Sequence, residues 1–360
     1  MAVSDVRAQM VLSELLDLDE RSSYLSDLWT NMGAAMGRGE TMHIPEIGSL
    51  NVEDAVSGGS PANLNVQTIS NSKTELKIDQ VKAISAELPD LDDIFTMGGA
   101  WTPAVAVQLA KKIRNEMDSK DFEHLAYTTA YDTSATYHKN VAGDALTDDD
   151  LENTIAEMLS ESGSVEGADY GDLAWMFHPY GIGSVRRLSS WTKNVGPEDN
   201  SLGIRRVGYL HEIPVYVSQS VARNPTVAAT ASAVSSGEFT FTVASGHGLV
   251  PGVMITATGG TENITTAVAI DSVTATTVVA TSGSATDASN GAMTIATSDC
   301  WNALVRRDFL FRRSIENWRM RVIPYGPTRT TDVIQVKRIW GRAARARGAY
   351  ILHSPGSSVS

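Results

Sequence analysis

The chain has 360 residues, of which 42% are hydrophobic and 20% charged, and its formal net charge is −13. This length predicts two or three domains, and no apolar run reaches the roughly 18 residues that a membrane-spanning helix needs. Cys300 is the single cysteine, which excludes an internal disulfide and a cysteine-cluster metal site, and the acidic balance argues against a protein that grips nucleic acid over its whole surface.

The first 18 residues predict a short amphipathic helix, because their apolar residues recur at near-helical spacing. These apolar residues are Val6, Met10, Val11, Leu15 and Leu18. So short a helix has little of its own to pack against, and we expect it to rest on another surface. Because the segment carries an acid at Asp5 and no continuous apolar core, it does not predict a secretory signal. Residence in a cytoplasm is the expectation.

Residues 40–79 predict a long extended hairpin. Thr74, Leu76 and Ile78 alternate with charged residues, and a Gly/Ser-rich turn occupies residues 57–61. An isolated two-stranded ribbon is marginal in water and leaves its edges unpaired. We therefore expect this ribbon to lie on a neighbouring copy of the chain.

Two helices follow in the sequence. Residues 101–127 show the strongest helical pattern, with Val105, Leu109, Ile113 and Met117 in i, i+4 steps, which predicts a long, half-buried spine helix. A second helix is predicted after Thr147, where three consecutive aspartates complement the positive end of a helix. These aspartates are interpreted as capping residues.

The middle of the chain predicts an α+β unit. Residues 172–178 indicate a buried strand, followed by Pro179 and a helix that runs toward Trp191. Residues 208–218 indicate one further strand, interrupted by Pro214.

The composition changes abruptly over residues 223–298, which contain no Lys, Trp or Tyr and alternate short β-branched runs with Gly turns. This pattern predicts a separate small β domain. An insertion is tolerated where the backbone is exposed and its two ends lie close together. We expect the inserted domain on the surface, on the outer face of any assembly, with little contribution to the main core.

Two amphipathic strands close the pattern, at residues 318–323 and 333–340, separated by a turn at 324–327. They are predicted to pair with each other against the spine helix. Residues 306–347 carry twelve Lys or Arg and three acids. A basic surface on an otherwise acidic chain favours self-association, although a solvated basic face or a weak nucleic-acid patch would have the same composition.

Eight residues are candidate subunit contacts, because they lie in the predicted arm, ribbon or basic region. They are Leu15, Lys73, Lys77, Arg312, Arg313, Arg319, Arg342 and Arg345.

The sequence offers no catalytic, cofactor-binding or metal-binding residues. His211-Glu212 fails as a zinc-protease motif, because Val215 stands where the second histidine is needed. No phosphate-binding GxxxxGK[ST] motif and no GxSxG nucleophile motif occurs. The aspartates at positions 90, 92 and 93 could bind a cation but favour a turn or helix start. We expect no enzyme activity.

With residues 223–298 set aside, the order of elements resembles that of the tailed-bacteriophage major capsid protein family, whose capsid fold is shared with encapsulin shells. The resemblance covers about four-fifths of the chain. It is carried by MHIPEIGSL, KTELKID, WTPAVAVQLAKKIRNEM, WMFHPYG, HEIPVYVSQSV and DVIQVKRIWGRAARARGAYIL. The insert, with SGHGLVPGVMITATG, is similar to the immunoglobulin-like or small β-barrel modules that phage structural proteins carry.

The resemblance implies an α+β capsid fold with six parts. They are an N-terminal arm (1–39), an extended loop (40–82), a peripheral domain with the spine helix (83–140 and 301–345), an axial domain (141–222), the inserted β domain (223–298) and a C-terminal tail (346–360).

The resemblance also implies a function. Hexamers and pentamers of the chain would self-assemble in the host cytoplasm into the icosahedral shell of the virion, around DNA held without sequence-specific contact. A scaffolding protein and a portal would take part in assembly, and decoration proteins could bind outside. Two alternatives remain: an encapsulin-type nanocompartment shell, and a carbohydrate-binding or hydrolytic protein with the insert as its binding module.

Overall fold

The computed structural model describes most of the chain in fourteen segments. They are residues 28–32, 41–47, 56–57, 60–61, 71–89, 101–127, 138–141, 146–160, 167–193, 206–282, 288–289, 291–324, 331–345 and 347–355. The predicted helix of the first 18 residues, with Leu15, lies outside the described residues, as do the aspartates at 90, 92 and 93.

The described segments form three helices and 21 strands. In chain order they are β1 (Thr30–Asn31), β2 (Thr41–Ile47), β3 (Val56–Ser57), β4 (Ser60–Pro61), β5 (Asn71–Pro89), α1 (Trp101–Tyr127), β6 (His138–Asn140), α2 (Asp148–Leu159), β7 (Leu173–Phe177), α3 (Ile182–Val185), β8 (Trp191–Lys193), β9 (Arg206–Leu210), β10 (Ile213–Val217), β11 (Thr226–Ser235), β12 (Glu238–Val243), β13 (Met254–Thr258), β14 (Ile264–Val273), β15 (Thr277–Thr281), β16 (Ala288–Ser289), β17 (Met293–Thr297), β18 (Asp299–Arg306), β19 (Leu310–Pro324), β20 (Thr331–Ala344) and β21 (Ala349–Pro355).

The first sheet has the strand order β1-β19-β20-β5-β2. β19 and β20 pair antiparallel from Leu310 opposite Ala344 to Pro324 opposite Asp332, with irregularities between Ser314 and Arg319, which confirms the predicted pairing of the two amphipathic strands. β5 pairs with β2 over its first seven residues and with β20 over residues 80–89 and at Lys77. The expectation that this ribbon depends on a neighbouring copy for its edges is therefore wrong for the edge of β5 that faces β20 of the same chain. β2 lies at the end of the sheet.

Helix α1 packs on this sheet and has the predicted length of 27 residues. Leu109, Ile113 and Met117 are all buried, as the i, i+4 pattern indicates. Lys82 of β5 forms an ion pair with Glu116 at 2.8 Å, and the Trp340 indole of β20 donates to Asp121 at 3.4 Å. The prediction that the closing strands pack against the spine helix is confirmed.

The second sheet has the order β6-β21-β18-β7-β10-β9-β8. All five residues of β7 are buried, as predicted. Thr147 caps α2 through a reciprocal capping box with Asp150, which also agrees with the sequence pattern. The helix expected to run toward Trp191 is a single turn of four residues.

The strand predicted over residues 208–218 is instead a hairpin of β9 and β10. Its two turn residues, His211 and Glu212, have φ values of 50° and 64°, and Leu210 pairs directly with Ile213. This is the geometry of a two-residue hairpin turn, which usually contains Asn or Gly. The sequence gives no sign of it because neither residue is a typical turn former.

The border between the first two sheets differs from the predicted division. β18 and β21 lie in the second sheet, next to β7, whereas the prediction assigned residues 301–306 to the peripheral domain and 346–360 to a tail. β6, predicted to belong with the spine helix, pairs with β21. The physical reason is burial: all eight residues of β18 are buried, so this strand needs cover on both faces.

The insert is a closed barrel. Six antiparallel strands follow each other in the order β12-β15-β14-β13-β17-β11, and β11 pairs back onto β12 to close the ring. Side chains from all six strands fill its interior, including Phe239, Phe241 and Ile255. Of the two modules that the sequence suggested, the structure shows the small barrel.

The barrel joins the second sheet through two adjacent chain segments. The Asn224 amide donates to the Asp299 carbonyl at 2.8 Å, and the Trp301 amide donates to the Ala222 carbonyl at 2.9 Å. The ends of the insert are therefore close together, as expected of an inserted domain.

The expectation that the insert contributes little to the main core is wrong. Leu249 and Val250 of the β12–β13 loop share one hydrophobic cluster with Trp301 of β18 and Phe122 of α1. The loop approaches so closely that a Cβ on Gly248 would lie 2.7 Å from the Trp301 ring. The barrel and the body therefore share buried surface.

We predict that Gly248→Ala destabilises the protein much more than Gly291→Ala. Both glycines have positive φ, 69° and 74°, so both substitutions strain the backbone by about 1–2 kcal/mol. A Cβ at position 291 meets nothing within 4 Å, whereas one at 248 overpacks the contact with Trp301, which adds roughly 1–3 kcal/mol. Chemical denaturation of the two variants tests this, and equal losses of unfolding free energy would contradict the described contact.

Candidate interaction surface

The structure places the predicted contact residues in different environments. Lys73 and Lys77 are exposed on β5, Arg312, Arg342 and Arg345 are half-buried, and Arg313 is buried. Arg319 belongs to β19 and pairs with Lys337. Leu15 lies outside the described residues.

Three of the eight candidates form one row across the first sheet. Arg312 of β19 pairs with Arg342 of β20, and Arg342 pairs with Lys77 of β5. The row continues to Asn31 of β1 and Thr41 of β2. Directly paired residues project to the same face of a sheet, so we call Arg312, Arg342 and Lys77 the cationic row.

A bulge between β5 and β20 sets the register of this row. The pairing shifts between Trp340 and Arg342, where Gly341 lies close to the opposite strand. A Cβ at this position would lie 2.3 Å from the Lys77 carbonyl oxygen. Glycine is required for this close approach, and the bulge brings Arg342 opposite Lys77.

Asp121 of α1 lies against the cationic row. Its Oδ1 is 3.8 Å from Nη1 of Arg342, and it accepts from the Trp340 indole. Burial raises the pKa of Asp121 to about 6, and Arg342, Arg312 and the Trp340 hydrogen bond oppose this rise. At neutral pH the carboxylate is therefore ionised and neutralises part of the row.

Sequence reasoning missed Asp121, although a signal was present. The apolar i, i+4 series of the spine helix runs through Ile113 and Met117, and its next position is Asp121. A carboxylate on the buried stripe of a helix needs a cation or a donor. The closing basic strands were the obvious source of that partner.

Two other candidate arginines stabilise the chain itself. Arg345 donates from Nη2 to the Pro45 carbonyl at 2.6 Å, and its guanidinium lies 5.1 Å from the centre of the Phe311 ring. Arg313 is 6% exposed, on the face opposite the cationic row. These contacts tie β2 to β19 and β20, so charge alone overstated the number of residues available to a partner.

A second cluster of charged and titratable groups is buried beside the barrel. His353 Nδ1 lies 2.7 Å from Asp299 Oδ2, and His353 Nε2 lies 3.0 Å from His138 Nδ1. These two contacts join His138, His353 and Asp299 in one buried hydrogen-bonded chain. Trp301 packs on both rings, 4.9 Å from His353 and 5.7 Å from His138 between ring centres.

The cluster holds His138 in its neutral form. Burial lowers the pKa of His138 well below the usual 6.5, and the neighbouring His353 and His247 lower it further. These residues join β6, β18, β21 and the barrel loop. The arrangement is suited to fixing the position of the barrel on the body rather than to proton transfer with solvent.

The described residues include a group that has the residue types of a serine triad without its geometry. Ser189 and Ser190 both donate to Asp148, and His211 Nε2 lies 3.5 Å from the same carboxylate. A serine nucleophile needs its hydroxyl on the histidine. Within the described part of the chain, no group of three or more His, Cys, Asp or Glu side chains could hold a metal ion, and no helix is long and apolar enough to cross a membrane.

A cleft of about 810 Å³ lies between α1, the barrel and the segment that joins the barrel to β10. Its walls include Phe122, His178, Arg223 and His247. The Arg223 guanidinium lies 3.5 Å from the centre of the Tyr180 ring.

Comparison with solved structures shows the fold to which this arrangement belongs. The capsid of Ralstonia phage GP4 is similar with a TM-score of 0.56 and 9% sequence identity, over 94% of this chain and 93% of that chain. The capsid of cyanophage P-SCSP1u is similar with a TM-score of 0.52 and 11% identity, over 94% and 89%. A chain of Mycobacterium phage Che8 is similar with a TM-score of 0.50 and 14% sequence identity, over 92% of this chain and 91% of that chain.

The chain has the phage capsid fold. No family model and no curated protein matches its sequence, so this conclusion is carried by the structure. The coverage includes more than nine-tenths of both chains. The likeness therefore covers nearly the whole of this chain and supports the α+β capsid fold that the resemblance in the sequence implied.

Within this capsid fold, we predict that the buried histidine makes stability depend on pH. Because the unfolded chain protonates His138 near pH 6.5 and the folded chain does not, the unfolding free energy falls as the pH drops below that value. The slope from one such group is at most about 1.4 kcal/mol per pH unit. Asp121 has the opposite effect, because its folded pKa is raised from 3.8 to about 6. Between those two values, this group makes the unfolding free energy rise as the pH falls.

The measurement is the unfolding free energy between pH 7 and pH 5 for the wild type, His138→Gln and the control His43→Gln. We expect His138→Gln to flatten the fall in stability toward acid, while replacement of the exposed His43 leaves it unchanged. A wild-type slope in His138→Gln would contradict the description of the cluster.

Proposed function

We propose that this chain is the major capsid protein of a tailed bacteriophage, which self-assembles into the icosahedral shell that encloses the phage genome. The observation that carries the proposal is the capsid fold over 94% of the chain. Hexamers and pentamers would form through the arm, the extended loop and the peripheral domain. The chain would act through these contacts and not as an enzyme.

The distribution of exposed apolar residues supports a contact on the first sheet. Val81 of β5 is 55% exposed, and it pairs with the half-buried Ile339 of β20. Both lie on the strands that build the predicted extended loop and peripheral domain. A large apolar side chain held in solvent on a rigid sheet is favourably placed for burial by another subunit.

Charge supports a container for DNA rather than a DNA-binding protein. The net charge of −13 opposes close association of the whole surface with phosphates. Packaged DNA would therefore be enclosed without sequence-specific contact. A scaffolding protein and a portal would act during assembly in the host cytoplasm, and decoration proteins could bind the outside of the finished virion.

We predict that Val81→Asp blocks assembly and that Met254→Asp does not. Met254 is 45% exposed on β13, so the two sites match in exposure and apolar character. A charge at Val81 would be buried in the subunit contact, which costs several kcal/mol for each contact, whereas Met254 lies on the barrel. Both variants should remain folded as isolated chains.

The measurement is mass photometry of each purified chain, expressed alone and with its scaffolding protein. The wild type and Met254→Asp should give capsomers or particles, and Val81→Asp should give monomers with the circular dichroism of the wild type. Monodisperse wild-type monomers under every condition would contradict the shell function. The content of the particles, nucleic acid or a protein cargo, separates a phage capsid from an encapsulin-type compartment.

A further inference from the structure

The cleft between α1 and the barrel carries an uncompensated positive charge. Arg223 lines this cleft and is exposed, and no described residue accepts a hydrogen bond from its guanidinium or forms an ion pair with it. Among the described residues that line the cleft, Glu123 is the one acid, and it forms an ion pair with Lys120. The cleft therefore attracts an anion.

The position of the Arg223 side chain is fixed by the surrounding structure. Its backbone forms an antiparallel bridge with Cys300 of β18, and its guanidinium lies 3.5 Å from the centre of the Tyr180 ring. The Tyr180 ring stacks in turn on His178, with 5.4 Å between ring centres and 12° between the planes. A guanidinium that is already held in place loses little conformational freedom when it binds a carboxylate, whose two oxygens match its planar donors.

His178 adds a neutral donor to the same cleft. The residue is 7% exposed, and its Nδ1 accepts from the Tyr180 amide at 3.2 Å, so the neutral ring carries its proton on Nε2. Burial, and to a smaller extent the charge of Arg223, lower the pKa of His178, so the ring is neutral at neutral pH. No described residue accepts from Nε2, which leaves this N–H for a carbonyl of an occupant.

The rest of the cleft is apolar and open. The buried residues Phe122, Val221 and Val227 border it, and the exposed Ala228 and Ala244 belong to its sides. Its volume of about 810 Å³ lies within the usual range for ligand sites, but such sites enclose most of a small ligand. An open cleft with the extended strand β11 as one wall is better suited to a peptide that continues beyond it.

We propose that this cleft binds an extended acidic segment of a partner protein, with a carboxylate on Arg223 and an adjacent apolar side chain over Phe122 and Val227. Charge complementarity selects the partner, because the cleft combines an unpaired, pre-positioned cation with apolar surface. The site belongs to a single chain. Binding is therefore measured without assembly and holds or fails independently of the proposed shell function.

Isothermal titration calorimetry of the purified full-length chain tests the proposal. The probe is the acetylated, amidated tripeptide Leu-Asp-Phe, and its matched control is Leu-Asn-Phe, which has nearly the same shape without the charge. Because a hydrogen bond to a charged group is stronger than one to a neutral group, we expect the Asp peptide to bind roughly tenfold more tightly than the Asn peptide. This difference should shrink as the salt concentration rises.

Two pairs of variants locate the binding site. Arg223→Gln should remove the difference between the two peptides, whereas Arg187→Gln, at an exposed position outside the cleft, should retain it. Ala228→Glu places a negative charge on the cleft wall and should weaken binding of the Asp peptide. Ala269→Glu, at an exposed position of β14, should not. Circular dichroism verifies that each variant is folded.

Four results would overturn the proposal. They are equal affinities of the two peptides for the wild type, no measurable binding of either peptide at millimolar concentration, an undiminished preference for the Asp peptide in Arg223→Gln, and equal effects of Ala228→Glu and Ala269→Glu. Hydrocinnamate, which has a carboxylate and an aromatic ring without a peptide backbone, is the third probe. If it binds as tightly as the Asp peptide, the cleft takes small organic acids and the proposed peptide partner is wrong.

Discussion

The pairing of β5 with β20 is the constraint on which the rest of the structure depends. It joins residues about 250 positions apart in the sequence, from Thr331 opposite Pro89 to Arg342 opposite Lys77. Through it, the hairpin of β2 and β5 becomes part of one sheet with the closing strands. The same pairing gives α1 a flat surface to cover and places Arg342 beside Asp121.

The pairing of β5 with β20 also determines how the long ribbon of β2 and β5 is stabilised. A ribbon that stands alone would need a neighbouring subunit for its folding, whereas β5 is stabilised by its own chain. Among the described residues, the sheet ends at β1 on one side and at β2 on the other. Contacts between subunits would therefore add to a largely formed subunit, and the exposed Val81 marks a place where such contacts can be made.

Much of the fold could be predicted because local signals were strong. The apolar period of α1, the capping threonine of α2 and the alternation in β19 and β20 each depend on neighbouring residues. The prediction failed where structure depends on partners distant in sequence. β18 is buried on both faces and shows no apolar period, and the β9–β10 turn uses His211 and Glu212, which carry no turn signal.

The candidate surface was also only partly predictable, because it depends on residues that are distant in sequence. Composition could identify Lys77, Arg312 and Arg342 as members of a basic region, but not as one row, because the row is created by strand register and by the bulge at Gly341. Composition also predicted Arg345 and Arg313 as subunit contacts. In the structure, Arg345 donates to the Pro45 carbonyl of the same chain, and Arg313 is buried. Asp121 was the one accessible clue, since it interrupts an apolar helical stripe.

A cryo-electron microscopy map of the assembled particle tests the central claim most directly. The account predicts a closed icosahedral shell in which β5 and β20 pair within each subunit and the surface around Val81 is covered by an adjacent copy. A particle in which β5 pairs with β20 of a different subunit would contradict the account, as would a shell that leaves Val81 exposed to solvent.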